Sequence, residues 1–427
     1  MTILNTVNNL SKKQQEIVDY FEQGQNIFIT GGAGSGKSHL LNFLKKNYSH
    51  LGLEITASTG ISAVNVGGAT IHSWAGIGLA NLPIDKIIEN LFSAKFARVR
   101  KKIKSTKTLA IDEISMVSLE VLEILDQVFK AVRGNNLPMG GIQMMFFGDF
   151  LQLPPIGRNN EVSFCFQSPV WQSLGLKTFV LEEIFRQDDA KFIKILNNIR
   201  FGNLSKEDIS ELQKRLDAID DNPAIKPTIL STHNYKVDQI NQSQINHIPR
   251  KVETFEAEYF GNDSKIEFLK KNSIVPQLLQ LKIGAQVMMI KNTYQKEGIV
   301  NGSLGVVIGF SPKKNYPVVE FYNKKIITIT KEEWLIDRYD ENKGLIINEA
   351  GVIQIPLVLS WAITIHKSQG LTLDKISCDL SDVFSPGQAY VALSRAKSLE
   401  GVFIDKINFS KITANQVATK FYLDLQS

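Results

Sequence analysis

The 427-residue chain is predicted to be an α/β protein with two parallel-sheet domains and a small β-rich insert. Its length exceeds what one hydrophobic core usually supports, so two or three domains are expected. Short apolar runs recur in both halves, and each ends abruptly in polar residues before a stretch able to form a helix. From about Gly284 to Ile353 this strand–helix pattern is absent, and the sequence instead shows alternating β-type segments separated by Gly, Asn and Pro turns.

The first domain is predicted from apolar runs that read as buried strands. They lie at 27–29, 53–56, 109–111, 144–147 and 179–181. Runs at 228–230, 357–359, 376–378 and 402–404 predict a second sheet, and segments at 286–290, 305–310, 318–322 and 326–330 predict the insert. In open parallel sheets, ligands bind beyond the carboxyl ends of the strands, so these ends are where functional residues are sought.

Composition narrows the class of protein only slightly. A hydrophobic fraction of 43% is ordinary for a globular protein, and a net charge of +5 is compatible with a polyanionic partner. The acid-free cationic run from Lys95 to Lys104 has two interpretations of equal weight, phosphate contacts or a solvated helix face. The two cysteines, Cys165 and Cys378, favour a reducing compartment. Because neither Met1 to Leu10 nor any later run resembles a leader or membrane span, a cytoplasmic protein without membrane contact is predicted.

A complete phosphate-binding loop pattern follows the first strand and precedes a helix-forming stretch, His39 to Lys46. It comprises Gly31, Gly32, Ala33, Gly34, Ser35, Gly36, Lys37 and Ser38. Glycines let backbone N–H groups wrap around phosphates, Lys37 supplies a cation, and the Ser38 hydroxyl suits Mg²⁺. The pattern predicts an ATP site with Mg²⁺.

Two further motifs end apolar runs that should lie beside this loop. Asp112 is predicted to hold Mg²⁺, and Glu113 to orient or deprotonate the attacking water. Gln152, in the segment 148–155, is placed to contact the γ-phosphate. Either motif alone would more often be a solvated turn, and it is the phosphate loop that favours the functional interpretation.

Taken together, the motifs resemble the Pif-type DNA helicases of superfamily 1, subgroup B, across nearly the whole chain. The segments that carry the resemblance are the phosphate loop, 59–63, 68–73, 112–116, 121–155, 185–187, 284–288, 300–305, 364–370 and 390–396. The resemblance implies two RecA-like domains around one ATP and a wedge subdomain. It also implies that the insert is a Src-homology-type β-barrel.

The resemblance also assigns roles to individual residues. It implies that Gln14 contacts adenine, that Gly370 belongs to the nucleotide site, and that Arg186 and Arg395 reach the γ-phosphate. A planar, permanently charged guanidinium suits the charge that develops on a transferring phosphoryl group. For single-stranded DNA it implies contacts from Thr59, Gly60, His72, Thr232, Asn234, His366 and Ser368. Trp74 has two open interpretations, stacking on bases or packing in the core.

The expected domain ranges are 1–67 with 105–187 for the first RecA-like domain and 68–104 for the wedge. The second RecA-like domain is expected at 188–250 with 354–427, and the inserted region at 251–353. The implied activity is ATP-driven 5′ to 3′ translocation on single-stranded DNA with duplex unwinding, by a monomer. The implied partners are single-stranded DNA and duplex junctions. Binding to quadruplex DNA or RNA–DNA hybrids stays open, as does the cellular role, whether in replication, repair, recombination or telomere maintenance. A nucleotide-dependent switch or kinase-like transferase would also use a phosphate loop.

The segment 74–83, after His72, is expected to be a loop because it contains two glycines and a proline. Its apolar residues Ile77, Leu79 and Leu82 have two interpretations. They either bury into the wedge or stand at the duplex junction.

Overall fold

The computed structural model describes residues 10–155, 162–216, 218, 220, 224–340 and 345–425. The segment Met1 to Leu10, which was predicted not to resemble a leader, lies outside the described residues except for Leu10. The chain forms two compact units: the first is Met1–Phe150, Pro154–Glu183 and Leu335–Glu349, and the second is Leu151–Leu153, Ile184–Trp334 and Ala350–Ser427. None of the helices in these described ranges has the length and apolar character needed to cross a bilayer.

A six-stranded, fully parallel sheet forms the centre of the first unit. Its strands are β1 (Ile27–Gly31), β2 (Leu53–Ala57), β3 (Ala69–Thr70), β4 (Thr108–Asp112), β5 (Gln143–Phe147) and β6 (Lys177–Leu181). Their order in the sheet is β3-β2-β4-β5-β1-β6. All five predicted runs are confirmed as strands, and the burial of β1, β4 and almost all of β5 explains why they read as continuous apolar runs.

The first unit also contains α-helices. They are α1 (Lys12–Glu22), α2 (Lys37–Tyr48), α3 (Gly60–Asn65), α4 (Ile71–Ala75), α5 (Ile84–Phe92), α6 (Ala97–Ser105), α7 (Leu119–Arg133) and α8 (Pro169–Ser173). Helix α2 buries Leu40, Leu41 and Leu44 in the same core as Ile27 and Ile29 of β1. This i, i+4 apolar stripe holds the start of α2 directly after the first strand.

The predicted wedge range, 68–104, includes two residues that belong to the main sheet. Strand β3 belongs to the main sheet, where Ala69 and Thr70 pair with Thr56 and Ala57. After α4, the chain runs through the loop Gly76–Pro83 into α5 and α6, here called the wedge helices. The loop prediction is confirmed from Gly76 onward, whereas Trp74 and Ala75 end α4.

The remaining strands form a smaller parallel sheet, antiparallel sheets of five and two strands, and a three-stranded sheet. The strands from β7 onward are β7 (Thr228–Ser231), β8 (Glu253–Glu256), β9 (Glu258–Gly261), β10 (Leu278–Leu281), β11 (Gln286–Met289), β12 (Leu304–Phe310), β13 (Pro317–Phe321), β14 (Ile326–Thr328), β15 (Glu332–Asp340), β16 (Leu345–Gln354), β17 (Leu357–Leu359), β18 (Ala362–Thr364), β19 (Ile376–Leu380) and β20 (Val402–Ile407). The helices of the second unit are α9 (Ala190–Phe201), α10 (Lys206–Gln213), α11 (Asn234–His247), α12 (Asp263–Asn272), α13 (Gln388–Leu393) and α14 (Gln416–Asp424). The parallel sheet has the order β18-β7-β19-β20.

One strand assignment was wrong. The run 357–359 was expected in the second parallel sheet, but β17 pairs antiparallel with β11, joining Leu357 to Met289 and Leu359 to Val287. Strand β18, which the sequence did not reveal, takes the place beside β7. The predicted insert strands are confirmed in the five-stranded antiparallel sheet β14-β13-β12-β11-β17. Its closure into a Src-homology-type barrel stays a prediction.

The compact units also differ from the predicted domain ranges. The segment Leu335–Glu349, predicted inside the insert, packs with the first unit, where Lys45 Nζ lies 3.6 Å from Asp337 Oδ2. The N-terminal part of the first unit extends to Glu183, whereas the predicted range extends to residue 187. Element boundaries of this kind depend on tertiary contacts that local sequence does not encode.

Candidate functional site

The phosphate loop joins β1 to α2 with a tight left-handed turn. Gly36, at the N-cap of α2, has φ 86° and ψ 10°, a conformation that costs glycine little. The Lys37 ammonium donates to the carbonyl oxygens of Gly31 at 2.7 Å and Gly32 at 2.9 Å. It also lies 3.3 Å from Ser35 Oγ. The loop therefore carries a half-buried cation next to backbone amides, as phosphate binding requires.

Gln14 ties helix α1 to this loop. Its side-chain oxygen accepts from the Ser11 N–H at 3.0 Å, completing a capping box, and its amide nitrogen donates to the Gly36 carbonyl at 3.2 Å. The residue is 2% exposed. Both ends of the amide thus shape the site, and the predicted contact with adenine stays a prediction.

Asp112 and Glu113 lie at the carboxyl end of β4, as predicted from the apolar run before them. Asp112 is buried and accepts from the Glu113 N–H at 2.9 Å. Burial raises the pKa of Asp112 to about 6, while the Glu113 N–H and the charge of Lys37 act in the opposite direction. Glu113 has φ 53° and ψ 46°, and a non-glycine residue in this left-handed region costs about 1–3 kcal/mol. Such strain is typical of functional sites.

The residues around this end of the sheet fit Mg²⁺. The Ser38 hydroxyl and the Asp112 carboxylate are oxygen donors of the kind that Mg²⁺ prefers. The buried hydroxyls of Ser58 and Ser115, just beyond the ends of β2 and β4, have no hydrogen-bond partner among the described residues. Orphaned buried oxygens of this kind are typically satisfied by bound water or ions. In the described ranges, no three His, Cys, Asp or Glu side chains are grouped as a metal site.

In the second unit, the two predicted arginines converge on Ser394. Arg186 Nη1 donates to the Ser394 carbonyl at 3.2 Å, and Arg395 Nη2 donates to the Ser394 hydroxyl at 2.7 Å. Arg186 also donates through Nε to Thr372 Oγ1 at 3.0 Å and through Nη2 to the Gly370 carbonyl at 3.3 Å. The structure therefore brings Gly370, Arg186 and Arg395 together within one unit. Arg395 is only 1% exposed.

Gln152 lies against the start of α13, the helix that leads to Arg395. A Cβ added at Gly387, the N-cap of α13, would lie 2.5 Å from the Gln152 carbonyl oxygen and 2.7 Å from that of Leu151. Gly387 also has φ 78°. Only glycine allows this close approach, so the backbone of Gln152 packs directly on the helix that leads to Arg395.

The predicted strand-binding residues of the first unit lie on one edge of its sheet. Thr59 caps α3, its hydroxyl accepting from the Ser62 N–H at 3.2 Å, and Gly60 begins that helix. His72 lies in α4, which follows β3, the neighbour of β2. Burial lowers the pKa of His72, so its imidazole is neutral near neutral pH. A neutral ring can still donate one hydrogen bond to a phosphate.

The second unit repeats this arrangement. Thr232 and Asn234 follow β7, and His366 follows the adjacent strand β18, with the Ile365 N–H bonded to the Ser231 carbonyl at 2.9 Å. Asn234 and His366 are exposed. Ser368 is fully buried, and its hydroxyl donates to the Ile365 carbonyl at 2.8 Å, so the side chain shapes the His366 loop from within.

The structure decides between the two interpretations of Trp74 and shows one aromatic residue that the sequence analysis missed. Trp74 is 2% exposed, its indole N–H donates to Glu54 Oε2 at 3.0 Å, and its ring packs on Phe129, so it is a core residue and not a stacking platform. Tyr235 was missed, although it is 64% exposed and its ring stacks on His233 at 5.6 Å between centroids. Its position directly after Asn234 was the available signal.

Comparison with known proteins shows which family the chain resembles. Residues 9–210 match the family model of PIF1-like helicases, and residues 266–310 match the model of the 2B domain of the DNA helicase Pif1. The chain is 38% identical over 426 residues to the ATP-dependent DNA helicase PIF1 of Danio rerio, covering 99% of this chain and 65% of that protein. The chain thus spans about two thirds of the length of this relative.

Solved structures resemble the chain over nearly its whole length. A crystal structure of Bacteroides sp Pif1 in complex with ADP-AlF4 has a TM-score of 0.85 and 32% identity, covering 98% of this chain and 97% of that one. A crystal structure of Pif1 helicase from Candida albicans has a TM-score of 0.73 and 36% identity, covering 97% and 99%. The fold class with two RecA-like domains is thereby confirmed. The chain belongs to the family of PIF1-like helicases.

Proposed function

We propose that this chain is an ATP-dependent DNA helicase that moves along single-stranded DNA and unwinds duplex DNA. The observation that carries the proposal is that each unit holds a different part of the residues expected for ATP hydrolysis. The first unit holds a complete phosphate loop with Asp112 and Glu113, whereas the second holds two arginines around Ser394. The sequence contains no second phosphate loop. Arginines held in this way suit the charge that develops on a transferring phosphoryl group.

Each residue then has a defined task in phosphoryl transfer. Lys37 neutralises charge on the β- and γ-phosphates, and Ser38 and Asp112 would hold Mg²⁺, which would supply further positive charge to the phosphates. Glu113 orients the attacking water and accepts its proton. Gln152 contacts the γ-phosphate, and Arg186 and Arg395 stabilise the charge that develops in the transition state.

The strand-binding residues suit recognition of a backbone rather than of a sequence. Hydroxyl, amide and imidazole groups at the edges of the two sheets position phosphates without reading bases. We add Tyr235 to the proposed set because an exposed aromatic ring can stack on any base, for roughly 1–3 kcal/mol. The 5′ to 3′ direction rests on the subgroup resemblance alone. The two buried free thiols, Cys165 and Cys378, favour a reducing compartment such as the cytoplasm.

Duplexes with either a 5′ or a 3′ single-stranded tail test the proposal directly. We expect strong stimulation of ATP hydrolysis by single-stranded DNA, and unwinding only of the duplex with the 5′ tail. A nucleotide-dependent switch or a transferase would show neither effect. Unwinding from the 3′ tail alone would leave the helicase assignment intact and reverse the direction.

Strand separation is expected to depend on the loop Gly76–Pro83. The exposure of its apolar residues distinguishes the two interpretations. Ile77 is 4% exposed and fits burial in the core, whereas Leu79 is 84% exposed and fits a position at the duplex junction. We expect Leu79→Ser to slow unwinding about tenfold, since loss of a stacking surface worth roughly 1.4 kcal/mol per step corresponds to that factor. Single-turnover unwinding measures it. Single-stranded DNA affinity and stimulated ATP turnover should stay within about twofold, because an exposed side chain contributes little to stability.

Leu51→Ser is the matched control, since Leu51 is also an exposed leucine of the first unit, at 50%. It should change none of the three quantities. An unwinding rate for Leu79→Ser equal to that of the Leu51 control would place the separating surface elsewhere.

A further inference from the structure

Helix α6 presents a row of cations to solvent. Lys95, just before the helix, and Arg98, Lys101 and Lys104 within it are all exposed and recur every third residue. We call these four residues the α6 cationic face. No acidic residue occurs between Ala94 and Lys107.

The other two cations of the helix serve the fold instead. The Arg100 guanidinium donates to the carbonyl oxygens of Leu91 and Ser93 at the end of α5. The Lys102 ammonium lies 4.8 Å from the centroid of the Trp74 ring. Within the described residues, no member of the α6 cationic face forms an ion pair with a carboxylate, in contrast to Lys86 of α5, which lies 2.9 Å from Glu89. The helix therefore separates structural cations from solvent-facing ones.

This arrangement is unfavourable for the isolated helix. Like charges three or four residues apart destabilise a helix by about 0.2–0.5 kcal/mol per pair, and a cation in the first turn opposes the helix dipole. A solvated face without a partner usually mixes both signs of charge. A purely cationic face that destabilises its own helix is typical of a surface that binds an anionic partner.

Hydrogen bonds from outside the helix stabilise the end of α6 in spite of these charges. Arg133, at the end of α7, places Nη1 within 3.0 Å of the Ile103 carbonyl oxygen, 3.2 Å of that of Lys104 and 2.9 Å of that of Thr106. The Thr106 hydroxyl donates to the Lys102 carbonyl at 2.7 Å. The last turn of α6 is thus capped by a cation from the body of the unit.

We infer that the α6 cationic face binds the phosphate backbone of duplex DNA. The inference rests on the proposed function, and it adds a duplex-binding surface to it. The face lies on the wedge helices, whose entry loop carries Leu79, and α6 packs on α4, which ends where that loop begins. Duplex DNA is the favoured partner because the face offers charges without an exposed aromatic on α6, and duplex DNA has the higher charge density. A nine-residue helix spans about 13.5 Å, or roughly four base-pair steps of 3.4 Å.

The test compares three triple variants with the unaltered protein. Arg98→Gln/Lys101→Gln/Lys104→Gln neutralises the face and keeps good helix formers. Arg98→Lys/Lys101→Arg/Lys104→Arg keeps its charge. Lys206→Gln/Lys313→Gln/Lys325→Gln removes the same number of exposed charges from the second unit. For each protein, affinity for a blunt duplex and for a single strand is measured over a salt series without ATP.

For the neutralised face, we expect the slope of log K against log salt for the duplex to lose about 2.7, which is three contacts at roughly 0.9 each. Single-strand affinity and single-strand-stimulated ATP turnover should stay within about twofold, and both control triples should keep the original slope. An unchanged duplex slope, an equal loss in the second-unit triple, or an equal loss for the single strand would each overturn the inference. Because duplex affinity is measured without ATP, a protein lacking strand-stimulated hydrolysis would refute the proposed function separately.

Discussion

Replacing Lys37 by alanine is expected to reduce ATP turnover by at least about 10²–10³ while leaving the fold intact. The ammonium lies among the carbonyls of the phosphate loop, 2.7 Å from Gly31 O and 2.9 Å from Gly32 O, where its charge would act on the γ-phosphate. The side chain is half-buried and fills no apolar core, so its removal creates no large cavity. Phosphate release at saturating single-stranded DNA measures turnover, and thermal unfolding monitors the fold.

Lys46→Ala is the matched control, because Lys46 is an exposed lysine in the last turn of the same helix. Its turnover should equal that of the unaltered protein. If Lys37→Ala kept turnover within a few-fold of that control, the phosphate loop would not be the hydrolytic site.

Arg186→Ala is expected to lower turnover by roughly 10³-fold or more, with a much smaller effect on nucleotide affinity. Three acceptors, Thr372 Oγ1 and the carbonyls of Gly370 and Ser394, fix the plane of its guanidinium. A charge oriented in this way acts mainly on the transition state. Single-turnover hydrolysis and equilibrium binding of a nucleotide analogue separate rate from affinity.

Two conservative variants sharpen this test. Arg186→Lys keeps the charge and loses the planar fork, so full recovery of the rate would mean that charge alone suffices. Thr372→Val removes only one orienting contact and should cause an intermediate loss. Equal losses in affinity and rate for Arg186→Ala would assign the arginine to ground-state binding. Arg186 is preferred to Arg395 because Arg395 is 1% exposed, so its truncation would also leave a cavity in the packed interior.

Much of the fold could be predicted because buried parallel strands are short, continuous apolar runs. All five runs of the first sheet became strands, whereas β3 was missed because two residues carry no pattern. The run 357–359 was recognised as a strand but assigned to the wrong sheet, since a three-residue run does not specify its partner. Partner choice is a tertiary property.

The candidate site could be located from motif order, but the state of each side chain could not. Ser368 lies in a motif that implied contact with DNA, and Trp74 follows another such motif with two interpretations open; both side chains are buried. The left-handed backbone conformation of Glu113 could not be predicted from the sequence either. The same holds for the Gln14 side chain, which accepts one hydrogen bond through its oxygen and donates another through its nitrogen. These features depend on which residues the fold brings together, and the local periodicity of the sequence does not specify those tertiary neighbours.

The guanidinium of Arg133 has a consequence for local unfolding. Because one side chain of α7 satisfies three carbonyl groups at the end of α6, the last turn of α6 cannot open without losing contacts to α7. The two helices should therefore behave as one cooperative unit in hydrogen exchange, although α6 is short and highly charged. Amide hydrogens near the end of α6 are then protected by the stability of the longer helix rather than by that of their own.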